Sequence, residues 1–242
     1  MKDREIFRNL ITIPPVFVRL DGRTFHRVTR NLSLERPYDI RFSEAMTAVS
    51  ERFLRESGLS PVLAYTFSDE ISLYFNMLPF GGRVEKLNSI AASFAASALT
   101  VALELDFPLA FDARIVQVTP RIAIEYLVER QQEAWRNHLN AYGQEALVRD
   151  GRTLHEAARI LKGMGSDAVH ELMFSHGINL GETPAWQRRG ILVYKQQKSI
   201  VGFNPVLGTH VEAVRSHVAI DRELPRFSSP EGQAMLSSFI CS

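Results

Sequence analysis

The chain is predicted to be an α+β protein built on a ferredoxin-like β-α-β-β-α-β unit, and three observations predict it. The run V-F-V-R-L, Val16 to Leu20, is β-branched and aromatic and stops at Asp21-Gly22, as a strand running into a turn does. Two further apolar runs, Val62 to Phe67 and Ile71 to Phe75, are separated only by Ser68-Asp69-Glu70, the mark of a hairpin. Two stretches of helical periodicity lie between and after these strands, which is the alternation the unit requires.

Taken in order, the first strand is followed by a helix over Arg41 to Ser57, where Phe42, Ala45, Met46, Val49, Phe53 and Leu54 recur at helical spacing and Gly58 ends the run. The hairpin comes next. A long helix from Arg83 to Glu104 follows the Gly81-Gly82 pair, and its Ser89, Ser93 and Ser97, four residues apart, suggest a small-residue face that lets a sheet approach closely. Ala113 to Val118 reads as the fourth strand. Thr119-Pro120 then opens one long helix, or a broken pair, reaching Asp150. Thr153 to Lys162 and Ser166 to Ser175 read as shorter helices, and Gly190 to Lys195 and Val211 to Ile220 as strands of a small C-terminal sheet. The division expected is a catalytic core over 1–120 and a helical and small-sheet region over 121–242.

This topology runs the first and second strands in the same direction with the third antiparallel between them. The end of strand one and the turn between strands two and three therefore meet at one edge of the sheet. Asp21 and Asp69 sit at those two places, and two converging carboxylates favour a bound cation.

Composition narrows the function. At 242 residues and 45% hydrophobic content, the chain buries a sizeable core and is not a disordered segment. A formal net charge of +1 exerts no global pull on nucleic acid, so any polyanion must be held locally. The single cysteine, Cys241, excludes an intrachain disulfide framework and a cysteine-based zinc site, and it fits a reducing, cytoplasmic setting. The N-terminus lacks a signal-peptide pattern. The most apolar stretch, Leu87 to Leu105, carries Asn88, three serines and Glu104 and reads as a core helix, with no membrane partner.

Magnesium binding against a triphosphate needs one or two carboxylates, with phosphate and water filling the remaining positions. Asp21 and Asp69, beside Gly22, supply that set, and Glu70 adds a third acid in the S-D-E turn. Cationic donors lie close in sequence: Arg19, Arg23 and His26 flank Asp21, Arg36 and Asp39 follow, and Arg83 and Lys86 open the long helix after the glycine pair, a pattern suited to phosphate. Pro184 to Lys198 carries Arg188, Arg189, Lys195 and Lys198 without an acid, interleaved with Trp186 and Tyr194, and is the best local basic patch for RNA. His210 and His217 lack the spacing of a metal pair.

These residues resemble a known family. D-G-R-T-F-H, S-D-E, R-V-E-K at the start of the long helix, F-D-A-R at 111 to 114, E-R-Q-Q at 129 to 132 and Q-R-R-G-I-L-V at 187 to 193 are similar, in order, to the tRNA-histidine guanylyltransferases, the 3′-to-5′ reverse polymerases. The resemblance implies a polymerase-palm core with two Mg²⁺ ions, Asp21 and Asp69 ligating both, the Gly22 carbonyl adding a ligand and Glu70 joining the catalytic acids. It implies that Asp21, Gly22, Arg23, Thr24, Phe25, His26, Ser68 and Asp69 contact one nucleoside triphosphate, and that Arg83 and Lys86 hold a second. It implies tRNA as partner, with ATP, GTP and other NTPs as substrates, contacts from Arg130, Trp135 and Asn137 beside the basic patch, and a homo-oligomer, dimer or tetramer. One stretch departs. Where the histidine-specific members carry H-I-N-N-L-Y-N, this chain has W-R-N-H-L-N-A at 135 to 141, so it looks more like the bacterial and archaeal like-protein branch, which repairs truncated tRNA 5′ ends using the opposite strand as template. Addition of G at position −1 of tRNA-His is the alternative. A palm-fold nucleotide cyclase would not need the region from 119 to 198, and a non-catalytic tRNA-binding module would not need Asp21 or Asp69.

Overall fold

A computed structural model describes residues 4–23, 25–204 and 208–241, without the side chains of residues 26, 27, 30, 198, 200, 202–204, 211 and 213. In chain order the elements are β1 (Val16–Gly22), α1 (Phe25–Asn31), α2 (Ile40–Arg55), β2 (Leu63–Phe67), β3 (Glu70–Phe75), a 3₁₀ turn (Pro79–Gly82), α3 (Val84–Ala102), β4 (Phe111–Gln117), α4 (Pro120–Arg149), α5 (Leu154–Lys162), α6 (Ser166–Ser175), α7 (Ala185–Arg189), β5 (Ile191–Asn204), β6 (Thr209–Asp221) and α8 (Pro230–Ile240). The strands form one six-stranded sheet in the order β4-β1-β3-β2-β5-β6. β3 lies antiparallel between β1 and β2, with Asp21 opposite Glu70. The first four strands and the helices between them are the predicted unit, with α1 inserted after β1.

Alternation along the strands sends side chains to two cores. Val16, Val18, Leu20, Ile71, Leu73 and Phe75 pack against α2 and α3. Phe17, Leu63, Tyr65 and Tyr74 face the other way, towards α4 and α8, where Phe17 stacks on Tyr126 at 4.3 Å. α4 is a single helix, started by the Thr119 hydroxyl, which accepts from Ile122 N–H, and by Pro120 in its first turn. Its first half packs on the sheet. Its second half builds a third core with α5 and α6, around Leu139, Leu147, Leu161 and Met173.

Two expectations change. The serine face of α3 points to solvent: Ser89, Ser93 and Ser97 are exposed, and each hydroxyl donates to the carbonyl three residues back, those of Lys86, Ile90 and Phe94. Leu87, Ala91, Ala95, Ala98 and Leu99 take the sheet side, because a stripe of Ala and Leu gains more from burial than hydroxyls that bond only to their own helix. The C-terminal strands, for their part, are longer than their apolar patterning suggested, and they join the core sheet through β2, Thr66 lying opposite Ile191. The sheet therefore runs continuously from residues 1–120 into 121–242. Among the described residues no helix is long and apolar enough to cross a membrane.

The β2–β5 junction depends on Gly190. Its φ is +72°, and a Cβ there would stand 2.7 Å from the Tyr65 hydroxyl and 2.8 Å from the Thr66 carbonyl. Gly190→Ala is expected to cost about 2 kcal/mol or more, lowering the midpoint of thermal unfolding by roughly 4–8 °C; a midpoint within a degree of wild type would contradict the role given to this junction.

Candidate functional site

Asp21 ends β1 on the α4 side of the sheet, and Asp69 sits in the two-residue turn between β2 and β3. One main-chain hydrogen bond joins these places, Gly22 N–H donating to the Asp69 carbonyl at 3.1 Å. Ser68 holds the turn in a left-handed conformation, φ 49°, and its hydroxyl donates to Asp69 Oδ1 at 3.2 Å. The predicted convergence of the two carboxylates is thus present. Gly22 is required sterically: a Cβ there would fall 2.1 Å from the Phe25 ring, which packs edge-on against Phe42 and Phe111.

The Ser68–Asp69 turn separates two clefts. The first, about 330 Å³, is polar and has Arg19, Asp21, Asp69, Glu70, Arg114 and Arg130 among its walls. Arg19 pairs with Asp21 at 3.2 Å, and Arg130 reaches down from α4 to Glu70 at 3.2 Å, leaving its own buried Nε without a partner among the described residues. Below them Ser72 and the Tyr126 hydroxyl share a hydrogen bond of 2.9 Å. Burial pushes the Glu70 carboxyl up to about 7, outweighing the opposing pull of Arg130. The Asp69 carboxyl is also raised, first by burial and further by Asp21.

The second cleft, about 430 Å³, is more apolar, with Phe25, Tyr38 and Phe42 on one side and Asn140, Gln144 and Gln187 on the other. Asn137 lines both clefts. Behind this wall His138 is fully buried in an aromatic cluster with Trp135, Tyr38 and Tyr142. Its Nε2 meets the Thr183 hydroxyl at 3.1 Å, and burial, reinforced by Arg188, brings its pKa down to about 4.

The structure brings Arg19, Asp21, Ser68, Asp69 and Glu70 together at the polar cleft and places Phe25 and Asp39 at the apolar one. Asp39 is committed there. It caps α2, accepts from Glu35 N–H and Arg41 N–H at 2.8 Å, and is held at about 2 chiefly by its hydrogen bonds from the Arg41 side chain. Arg23 is exposed and its N–H is given to the Ala110 carbonyl; Arg36 is exposed beyond the clefts. Thr24 and the side chains of His26 and Lys198 lie outside the described residues.

Arg83 and Lys86 are not brought to this site within one chain. They follow β3, whose C-terminal end pairs with Val16, so they lie at the opposite end of the sheet, roughly 17 Å or more along the strand from Asp21. Arg83 Nε donates to the Phe80 carbonyl, and the Lys86 ammonium sits 5.6 Å over the Phe80 ring.

The residues read for RNA are in mixed positions. Arg130 is bound into the acidic cluster. Trp135 is half-buried between His138 and His170, and Asn137 belongs to the clefts. Arg189 donates to the Leu224 carbonyl at 2.7 Å, and its own carbonyl accepts from the Tyr65 hydroxyl at 2.7 Å. Arg188 and Lys195 are half-buried. Residue-type reasoning passed over Gln144, Tyr38 and Tyr142, since a neutral amide and lone tyrosines, on α4 and in the segment before α2, carry no local pattern.

Among the described residues there is no cluster of three or more His, Cys, Asp or Glu arranged for a metal. What the edge offers is two oxygen-bearing side chains and main chain. Asp69 is half-buried beside a second carboxylate, and such a pair is eased by a hard cation that keeps most of its own water or phosphate ligands. The donor set fits Mg²⁺.

The chain was compared with known proteins. A family model described as Thg1, tRNAHis guanylyltransferase, matches residues 1–119. The probable tRNA(His) guanylyltransferase of Dictyostelium discoideum is 31% identical over 193 residues, 75% of this chain and 75% of that protein. The tRNA(His) guanylyltransferase 1 of Arabidopsis thaliana is 28% identical over 233 residues, 90% of this chain but only 40% of that longer relative. A bacterial tRNA(HIS) guanylyltransferase (Thg1)-like protein solved in complex with ATP has the same fold, with a TM-score of 0.74 over 97% of this chain and 94% of that chain at 23% identity.

Two opposed pH dependences follow. Without metal, Glu70 binds its proton more tightly folded than unfolded, so its contribution to stability falls as pH rises from about 4.5 through 7. His138 does the reverse, and its contribution is lost as pH falls from 6.5 through about 4. In EDTA, Glu70→Gln should make the slope of stability against pH between 4.5 and 6.5 more positive, and His138→Gln should make it less positive. Urea unfolding at pH 5 and pH 6.5 reads both slopes, and identical slopes in the two variants would refute the assignment.

Proposed function

Because this chain belongs to the tRNA(His) guanylyltransferase family, we propose that it adds nucleotides to the 5′ end of tRNA in the 3′-to-5′ direction, guided by the opposite strand as template. The observation that carries this reading is the pairing of an acidic cleft with an apolar one across the Ser68–Asp69 turn, sized and lined for a triphosphate and its nucleoside.

Asp21, Asp69 and the Gly22 carbonyl would hold two Mg²⁺ ions. Bound there, they supply charge neutralisation for the triphosphate and lower the pKa of the attacking hydroxyl. The chain's own residues do the rest. Phe25, Tyr38 and Phe42 receive the nucleoside, Ser68 fixes the Asp69 carboxylate, and Arg19 and Arg130 keep the acids of β1 and β3 oriented. In the first step an oxygen of the tRNA 5′-monophosphate bonds to the α-phosphorus of ATP and pyrophosphate leaves. In the second the 3′-hydroxyl oxygen of the incoming NTP bonds to the tRNA 5′-phosphorus, AMP leaves, and the hydroxyl proton passes to solvent. A 5′-triphosphate end would release pyrophosphate in that second step.

Template guidance is favoured over selection of tRNA-His because most of residues 135–141 are engaged within the chain, Arg136 and Asn140 alone being exposed. Trp135 and His138 are packed in the aromatic cluster, while Asn137, Asn140 and Ala141 line the cleft. Arg83 and Lys86 can meet a triphosphate at this site only if a second copy of the chain brings them, which supports a homo-oligomer, dimer or tetramer. Arg188 and Lys195 are the remaining candidates for tRNA phosphate contact. The lone Cys241 suits a cytoplasmic enzyme.

Asp21→Ala and Asp69→Ala are each expected to lower nucleotide addition by on the order of 10³-fold or more while tRNA affinity changes little; retained activity in both would refute the site. On 5′-truncated tRNAs the nucleotide incorporated should follow the opposing 3′ base when that base is altered. Incorporation of G alone, whatever the base, would favour the tRNA-His reading instead.

A further inference from the structure

Each oxygen of the Glu70 carboxylate has its own donor, and Tyr126 supports both donors. Oε2 accepts from Arg130 Nη1 at 3.2 Å, and Oε1 accepts from the Ser72 hydroxyl at 3.4 Å. With the single Ser72 proton so used, the Tyr126 hydroxyl is the donor in its 2.9 Å bond to Ser72 Oγ. The second support is the ring. Arg130 follows Tyr126 by one helical turn on α4, and its guanidinium carbon lies 5.9 Å from the Tyr126 ring centre. Tyr126 is fixed in turn by stacking on Phe17 at 4.3 Å. Ser72 and Tyr126 are both buried. Two buried hydroxyls bonded only to each other would gain little over Ala and Phe in the same places, so their contribution lies in what they hold. Glu70 stands directly opposite Asp21 across β1 and β3, on the same face of the sheet. Its side chain has one torsion more than an aspartate, and without ties on the α4 side the carboxylate would be free to swing over Asp21.

We propose that Tyr126 is a positioning residue for nucleotide addition, acting through Ser72 with its hydroxyl and through Arg130 with its ring to fix the Glu70 carboxylate beside Asp21 and Asp69. The inference rests on the reading of the polar cleft as the catalytic edge. It deepens that reading by adding a support that lies outside the reacting groups.

The test is single-turnover nucleotide addition by the full chain to a 5′-truncated, 5′-monophosphorylated tRNA in saturating Mg²⁺, followed over a range of nucleotide concentrations. Tyr126→Phe keeps the ring beside Arg130 and removes only the hydroxyl. The maximal rate should fall on the order of tenfold. The half-saturating nucleotide concentration should stay within about twofold of wild type, and the thermal midpoint should drop by no more than about 4 °C. In a Glu70→Ala background the same substitution should cost less than about twofold further, because the group it positions is gone. Ser72→Ala should reproduce Tyr126→Phe, and the two together should lose no more than either alone; this pair decides the matter if Glu70→Ala does not fold or is too slow to time. A wild-type rate in Tyr126→Phe, weaker nucleotide saturation at an unchanged maximal rate, or losses that multiply in either double variant would overturn the positioning role while leaving the catalytic edge standing. No addition of nucleotide by the wild-type chain would remove the reading of the edge itself and this inference with it.

Discussion

The hydrogen bond from Gly22 N–H to the Asp69 carbonyl is the constraint on which the site depends. β1 and β3 pair in a register that sets Asp21 opposite Glu70, and this bond extends the pairing to the residue before the start of β3. It locks the turn to the end of β1. Two carboxylates distant in sequence are thereby held at one edge although their charges repel, an arrangement the chain stabilises with main-chain geometry rather than by pairing every acid. Arg19 and Arg130 offset part of the cost, but the raised Asp69 and Glu70 carboxyls show that burial still dominates their energetics. Under the proposed function, a cation would ease a strain that the protein's own arginines leave in place.

The C-terminal half is not an appendage to this edge. β5 lies directly on β2, and α4 crosses the face that carries Asp21, sending Arg130 to Glu70 and Asn137 into both clefts. The buried Gln131 ties the two levels together: its amide donates to the Pro225 carbonyl at 3.0 Å and accepts from Phe227 N–H at 2.7 Å, fixing the segment that leads into α8. Arg189 is drawn into the same joint, which explains why a basic patch conspicuous in sequence is only partly available to an RNA backbone.

Legibility in the sequence followed the range of the interaction. The β-α-β-β-α-β order could be read because periodicity, Asp-Gly and the S-D-E turn are local signals, and the convergence of Asp21 and Asp69 then followed from topology alone. The N-cap and proline of α8, Ser229-Pro230, were also local and were overlooked, as was α1 directly after Gly22. What could not be read depended on tertiary competition. The serine and alanine stripes of α3 are both small, and only packing against β1 and β4 decides which is buried. Arg83 follows a glycine pair that suits a phosphate, yet the direction of β3 carries it away from the acids. The apolar cleft is assembled from α1, α2, the β2–β3 turn, α4 and α7, and no window of sequence contains it.

That difference separates the two halves of the chemistry. The acidic cleft is made of side chains at the ends of paired strands, where backbone hydrogen bonds fix positions closely and little rearrangement is open to them. The apolar cleft is made of helix faces, where Asn140, Gln144 and Gln187 can be exchanged without disturbing a ladder. Between them stands a single turn, with Ser68 in a left-handed conformation that a non-glycine residue adopts only when its surroundings hold it there. The turn lines both clefts, so under the proposed function its geometry would set the separation between a base and its phosphates. On the proposed reading, one rigid turn would couple a fixed catalytic edge to a recognition wall free to vary, so that the choice of nucleotide could change while the phosphoryl chemistry stayed in place.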